Sequence, residues 1–364
     1  MYNNCMREGK SMKRLILLLV FLSLALPGTA SGAENTVIEI RGREDLLDAA
    51  NHPGMSFRLM NDIDLQGEDW TPVPFSGELD GNGFGIYNMT VTRTGDEIRT
   101  TVDGNRKQYD TRFAGLFSVA EDAVIRNLKI IGAHVAVEGE THCFAAVLTG
   151  YAKYCTFENI TVEGRVRLDN DAVMAGVGGI AGFGSGTFDN CHARVEMVFA
   201  DRNLTSRCEE FMGAMMACGY TRVQNCTVDI DGYVSCFGYC HSGGLMGLYY
   251  FCGTKYQLGP ENRIINHNTV NGRIYFFEHN PDRRAYCSGA VGETLTQLAS
   301  IKPNNTKGFV RKETKDASRI LLPETCENPV WLDTVVPPSG SEWGWTEHTC
   351  AGCGYTWRDS YTAP

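Results

Sequence analysis

Two cysteines near the C-terminus, Cys350 and Cys353, have the spacing of metal ligands. A zinc knuckle places two thiolates in one tight turn, here with Gly354 permitting the bend, and it needs two further ligands to complete a tetrahedron. Cys326 and His348 are the residues available to supply them. Such a site would be structural, stapling a segment too small to hold a core, with no open position for catalysis. A local disulfide or two free thiols would satisfy the same spacing.

No other residues have the spacing of a known chemistry. Gly-x-Ser-x-Gly, His-Glu-x-x-His and phosphate-loop strings are absent. Asp62 and Asp64 alternate with Ile63 and Leu65, so a strand there would turn both carboxylates to solvent. Asp169, Asp171 and Asp189 are expected on turns and do not recur in register. His142, His192, His241, His267 and His279 show no ligand spacing among themselves. Tyr249-Tyr250-Phe251 and Tyr275-Phe276-Phe277 break the apolar alternation, which should leave one ring of each run facing outward. Met212, Met215 and Met216 are expected to fill core. No catalytic residue and no cofactor is assigned.

The elements that position these residues follow from a period of about 32 to 35 residues. Gly115-Leu116-Phe117 leads to Asn127-Leu128-Lys129-Ile130, and Ala146-Val147-Leu148 leads to Asn159-Ile160-Thr161-Val162. Gly179-Ile180-Ala181 precedes Asn190-Cys191-His192-Ala193, and Gly213-Ala214-Met215 precedes Asn225-Cys226-Thr227-Val228. Gly244-Leu245-Met246 leads to Asn268-Thr269-Val270, and Gly289-Ala290-Val291 closes the series. A repeat of this size implies stacked coils in which short alternating strands share one continuous core. The fold class expected is all-β, a right-handed parallel β-helix over residues 34–310. The recurring Asn at 88, 127, 159, 190 and 225 is a turn residue, either left-handed or hydrogen-bonded to the Asn of the next coil. Glu44–Ala50 reads as a helix stopped by His52-Pro53-Gly54, placed to cap the first coil. Insertions at about 93–112, 200–210 and 252–264 are the natural variable surface.

Residues 57–130 carry a family resemblance. Leu59-Met60-Asn61-Asp62-Ile63-Asp64-Leu65, Phe75 to Phe84, Ile86, Asn88 and Ala114-Gly115-Leu116-Phe117-Ser118 resemble the GLUG-type repeat of exported bacterial proteins. The resemblance implies a right-handed parallel β-helix on a secreted or surface protein, often with adhesive roles. Related segments sit beside immunoglobulin-cleaving metallopeptidase domains, whose His-Glu-x-x-His helix is missing here. Residues 311–345, with Pro337-Pro338-Ser339-Gly340, read as a linker, and residues 346–364 as a small tail module. Cys350-Ala351-Gly352-Cys353-Gly354-Tyr355, with Asp359-Ser360-Tyr361-Thr362, is similar to CxxCGY modules near the ends of exported Firmicute-like proteins.

Lys13 and Arg14, the apolar run Leu15–Leu26 and the small residues through Ala33 form the pattern of a secretory signal peptide over residues 1–33. Fourteen cysteines would suggest disulfides in an oxidising compartment. Cys191 and Cys226, however, fall on the inward position after the Asn, where a buried hydrophobic thiol is expected; Cys236 with Cys240 and Cys208 with Cys218 remain possible pairs. A net charge of −10 argues against nucleic acid. The function expected is that of a secreted or cell-surface, monomeric, non-catalytic protein binding an extracellular glycan or protein. The alternatives are a β-helical polysaccharide lyase or hydrolase, which needs acids and a base clustered on one face, and a structural spacer.

Overall fold

A computed structural model describes residues 37–100, 108–139, 142–170, 174–201, 209–236, 238–249, 263–278, 285–294, 301, 303–313, 330–340, 342–351 and 356–364. The expected signal segment, 1–33, lies outside them, as do residues 101–107, 202–208 and 252–262 of the expected insertions. The remaining residues form an all-β parallel β-helix followed by a small antiparallel sheet.

From Tyr109 onward each coil passes through three sheets in fixed order. The entry strands before Ile98 lie in sheets A and B alone, and Ile98–Thr100 pairs antiparallel with Tyr109–Ala114. One complete coil runs His142–Ala145 in sheet C, Thr149–Glu158 in sheet A and Thr161–Asn170 in sheet B, and the next begins at Met174–Gly178 in sheet C. The small-residue apolar step is the corner between sheets C and A. There the backbone of each coil bonds to the next: Leu116 N–H donates to Val147 O, Val147 N–H to Gly179 O, and Ile180 N–H to Ala214 O.

The recurring Asn is the corner between sheets A and B. Asn127, Asn159, Asn190 and Asn225 have φ between 52° and 57°, a left-handed conformation that Asn tolerates better than most residues. In the entry coil Asn82 (φ 53°) takes this corner. Asn88 (φ 54°), expected to belong to the series, lies instead within sheet B, between Gly85–Tyr87 and Thr90–Val91 beside the Gly132 bulge. Both expected roles coincide. Asn159 Nδ2 donates to Asn127 Oδ1 at 3.0 Å, and Asn190 Nδ2 to Asn159 Oδ1 at 2.6 Å. In the next coil the sequence pattern is one residue out: His267 (φ 58°) makes the turn and Asn268 points inward. Asn268 fills the place of Cys226, accepting from Cys226 N–H at 2.8 Å and donating to Val223 O at 3.0 Å. A buried amide is tolerated there because its hydrogen bonds are made.

Inside, side chains stack in columns. In sheet B, Ile86, Ile130, Val162, Ala193, Val228 and Val270 are successive register partners, each fully buried. Leu79, Ile125, Phe157, Phe188, Val223 and Ile265 do the same in sheet A. Met212, Met215 and Met216 are core, as expected. The entry helix forms at Arg43–Asp48 with a 3-10 turn at Ala49–Asn51, and Leu46 and Ala49 join the main core. A second apolar cluster, around Phe113, Phe144, Phe183 and Phe211, lies on the outer side of the corner between sheets C and A.

The thiols follow the burial logic. Cys191 and Cys226 are each 1% exposed, and neither is in a disulfide. Burial pushes the Cys143 thiol up to about 12 and that of Cys155 up to about 11, so neither is nucleophilic at neutral pH.

Two boundaries shift. Residues 311–313 complete the strand Asn305–Glu313, and Trp331–Val336, expected as linker, is a strand pairing antiparallel with Gly344–Cys350. Thr356–Thr362 completes this three-stranded sheet. The proline-rich stretch that suggested a linker is only the connection between two strands. Asp169, expected on a turn, lies within the strand Thr161–Asn170.

Two outcomes are expected. Ile160→Asp buries an unpaired carboxylate and should cost about 4 kcal/mol or more; a thermal melt indistinguishable from wild type would refute the inward assignment. Cys143, Cys155, Cys191 and Cys226 should resist an aromatic disulfide reagent in native buffer and react in denaturant, as read by mass spectrometry of labelled peptides.

Candidate functional site

Parallel pairing fixes outward side chains as firmly as inward ones. On the outer face of sheet B, two columns carry charge. One runs Glu163, Arg194, Asp229, Asn271, and the other runs His134, Arg165, Glu196, Asp231, Arg273. Register neighbours bind one another across coils. Arg165 Nη2 is 3.2 Å from Glu196 Oε1, Arg273 Nη2 is 2.9 Å from Asp231 Oδ2, and Asn271 Nδ2 donates to Asp229 Oδ1 at 3.1 Å. Beside them Tyr233 and Tyr275 stack at 5.3 Å, with Arg273 over the Tyr275 ring. Tyr275 is the outward ring its run was expected to supply, while Phe276 is buried. Burial, with Asp231 and Glu196 nearby, holds the Tyr233 hydroxyl well above the usual phenol range.

The C-terminal sheet forms the facing wall. The Trp343 ring stacks on Tyr87 at 3.6 Å and 8°, and its Nε1–H donates to Asp62 Oδ2 at 2.9 Å. Asp62 was expected to face solvent; it is on the outer face, but Trp343 takes it. Burial, with Asp62 and Glu342, pushes the Tyr87 hydroxyl up to about 12. Tyr361 exchanges hydrogen bonds with Asn88, its N–H donating to Oδ1 at 3.2 Å and its carbonyl accepting from Nδ2 at 3.1 Å. Its hydroxyl donates to Glu163 Oε1 at 2.7 Å. Gly132 (φ 70°) makes room, since a Cβ there would lie 2.6 Å from Tyr361 Cδ2.

Between the two walls lies a groove of about 1220 Å³. Its lining runs from Asp64 through Gly132, Glu163, Arg194 and Asp229 to Gly272 on sheet B, with Trp331, Glu347, Arg358 and Tyr361 opposite. Arg358 Nε donates to Glu347 Oε2 at 3.0 Å and its guanidinium lies over the Trp345 ring. Arg194 is exposed on the groove floor, flanked in register by Glu163 and Asp229.

The expected metal ligands divide. His348 and Cys350 lie two residues apart in the strand Gly344–Cys350, hence on one face. Cys350 is fully buried, and His348 Nδ1 is 2.8 Å from Asp333 Oδ1. Cys326 and Cys353 lie outside the described residues. Elsewhere, His241 stacks on Phe211 and Tyr286 and lies 2.9 Å from Glu293. Burial drives its pKa down to about 4.

The groove was not visible in the sequence. Its acids and bases belong to different repeats, and the one available signal was the charge at alternate positions of Glu163-Gly164-Arg165 and Arg194-Val195-Glu196. No family model matches the chain. A protein of Evansella cellulosilytica named "Putative Gly-rich membrane protein" is 34% identical over 122 residues, covering 30% of this chain. That stretch is 12% of the relative, so the similarity concerns a small segment of it. Among the described residues no helix is long and apolar enough to cross a membrane.

Trp343→Ala should release the facing wall. Losing an aromatic stack and a hydrogen bond to a carboxylate removes roughly 2 kcal/mol of docking. Amide exchange in Gly344–Cys350 and Thr356–Thr362 should accelerate at least tenfold, with sheet B unaffected; unchanged exchange would show that the wall is held otherwise.

Proposed function

We propose that this protein is exported and binds an extracellular ligand in the groove between sheet B and the C-terminal sheet, without transforming it. The observation that carries the reading is the groove itself, a long concavity whose floor is a rigid ladder of charged side chains. Most of those side chains are fixed by one another, which favours recognition by a preorganised surface. The signal-like segment 1–33 and the GLUG-like run 57–130 support export and placement at the bacterial surface. The CxxCGY-like tail, as the facing wall, would be part of the binding site.

A second reading has a specific observation behind it. The carboxylates of Glu196 and Asp231 are register neighbours on adjacent coils, the arrangement a β-helical glycoside hydrolase would need. Each of them already faces an arginine on its far side, Arg165 and Arg273. That pairing commits both carboxylates to neighbouring guanidinium groups on the sheet face, so binding is the stronger reading.

The test is to probe the full chain against an array of immobilised extracellular glycans and matrix proteins. The variant Arg194→Glu/Asp229→Arg, with both changes at the groove floor, should lose at least tenfold in affinity for whatever the wild type retains. Equal binding by a folded variant would move the site elsewhere, and silence of the whole array would favour the spacer.

A further inference from the structure

Resting on that reading of the groove, we infer that its ligand is a glycan chain without carboxylate or sulfate groups. Three features of the walls point to this class.

The first is charge. The lining holds six carboxylates, Asp64, Glu163, Glu196, Asp229, Asp231 and Glu347, against the three guanidinium groups of Arg165, Arg194 and Arg358. Arg165 is committed to Glu196 and Arg358 to Glu347. Arg194 stands between Glu163 and Asp229 in its column. Asp231 is balanced by Arg273 beside the lining. Asp64, Glu163 and Asp229 against Arg194 still leave the floor net negative. A polyuronate or sulfated chain would meet excess negative charge there, and like charges across an interface are costly.

The second is hydrogen-bond polarity. Ionised carboxylates only accept, and each offers about four lone-pair sites. Glu163 receives the Tyr361 hydroxyl, Asp229 receives Asn271, and Asp64 receives Asn88 and the Gln66 N–H. All three keep acceptor capacity toward the groove. The ligand must therefore be rich in donors, as a polyhydroxylated chain is.

The third is the nature of the floor, which is the face of a sheet. Its backbone N–H and C=O groups are spent in the parallel ladders to either side. An extended peptide recognised by its main chain needs a sheet edge. Among the described residues this floor reaches one only at Ile63–Asp64, a strand of two residues, too short to template such a peptide. A glycan needs only side chains, with an aromatic surface for its rings. Trp331, partly buried, is an aromatic residue of the opposite wall that lines the groove. The floor spans six strand-to-strand steps from Ile63–Asp64 to Thr269–Glu278, about 29 Å at ~4.8 Å each. That length suits several sugar rings in a row.

The experiment titrates the full chain, by calorimetry and tryptophan fluorescence, with four soluble probes: a neutral hexose oligomer, an N-acetylated amino-sugar oligomer, an oligogalacturonate and an oligolysine. At least one of the two uncharged oligomers should bind, at least tenfold more tightly than the oligogalacturonate, and Trp331→Ala should weaken it tenfold or more. Glu163→Gln/Asp229→Asn removes groove charge without removing bulk and should narrow the preference over oligogalacturonate. Tighter binding of the uronate, or binding of oligolysine alone, would overturn the inference. If the array finds a protein ligand lost in the groove-floor variant, the groove stands as a binding site and the glycan assignment falls.

Discussion

A single strand of four to ten residues with one apolar face cannot bury that face alone. Everything in this molecule follows from the way it is buried, by stacking on an identical face one coil away. The column Ile86, Ile130, Val162, Ala193, Val228, Val270 is one such stack, and the hydrogen-bonded ladder beside it holds the coils at a fixed spacing of about 4.8 Å. Inward packing and ladder bonding reinforce each other: a slip by one residue would turn every apolar side chain outward.

The same constraint acts on the outer face. Once the inner register is set, outward residues of successive coils have no freedom to choose neighbours. On sheet B this aligns Arg165 with Glu196 and Asp231 with Arg273, pairs that mutual proximity then orders. Between those pairs two carboxylates are adjacent, so the ladder is not laid out for maximal ion pairing. Surface ion pairs contribute little to stability in any case. The arrangement makes better sense as a surface held ready for a ligand, and the docked C-terminal sheet gives it a second wall through Trp343 and Tyr361.

The coil architecture was legible because its signals are local and repeated. A small-residue step, a left-handed Asn and an alternating run each report a backbone requirement, and all three recur. Where the pattern misled, a local substitute met the same requirement. His267 tolerates the left-handed turn, so Asn268 could move inward. The Pro337-Pro338 stretch satisfied the composition of a linker while joining two paired strands. The groove was illegible for a different reason. Trp343 meets Asp62 across 281 residues and Tyr361 meets Glu163 across 198. No periodicity in one chain reports contacts between elements of different kinds.

If stacked, interchangeable coils carry the fold, removing one whole coil should be tolerated and removing part of one should not. Deleting residues 159–189 joins Glu158 to Asn190, which replaces Asn159 by its own register successor and leaves every inner column continuous. Deleting residues 159–173 breaks the columns instead. Thermal unfolding followed by circular dichroism should show a β-rich fold with one cooperative transition for the first deletion, and loss of cooperative unfolding for the second. Equal damage from both deletions, or a folded product only from the shorter one, would contradict the stacking of equivalent coils as the source of this structure.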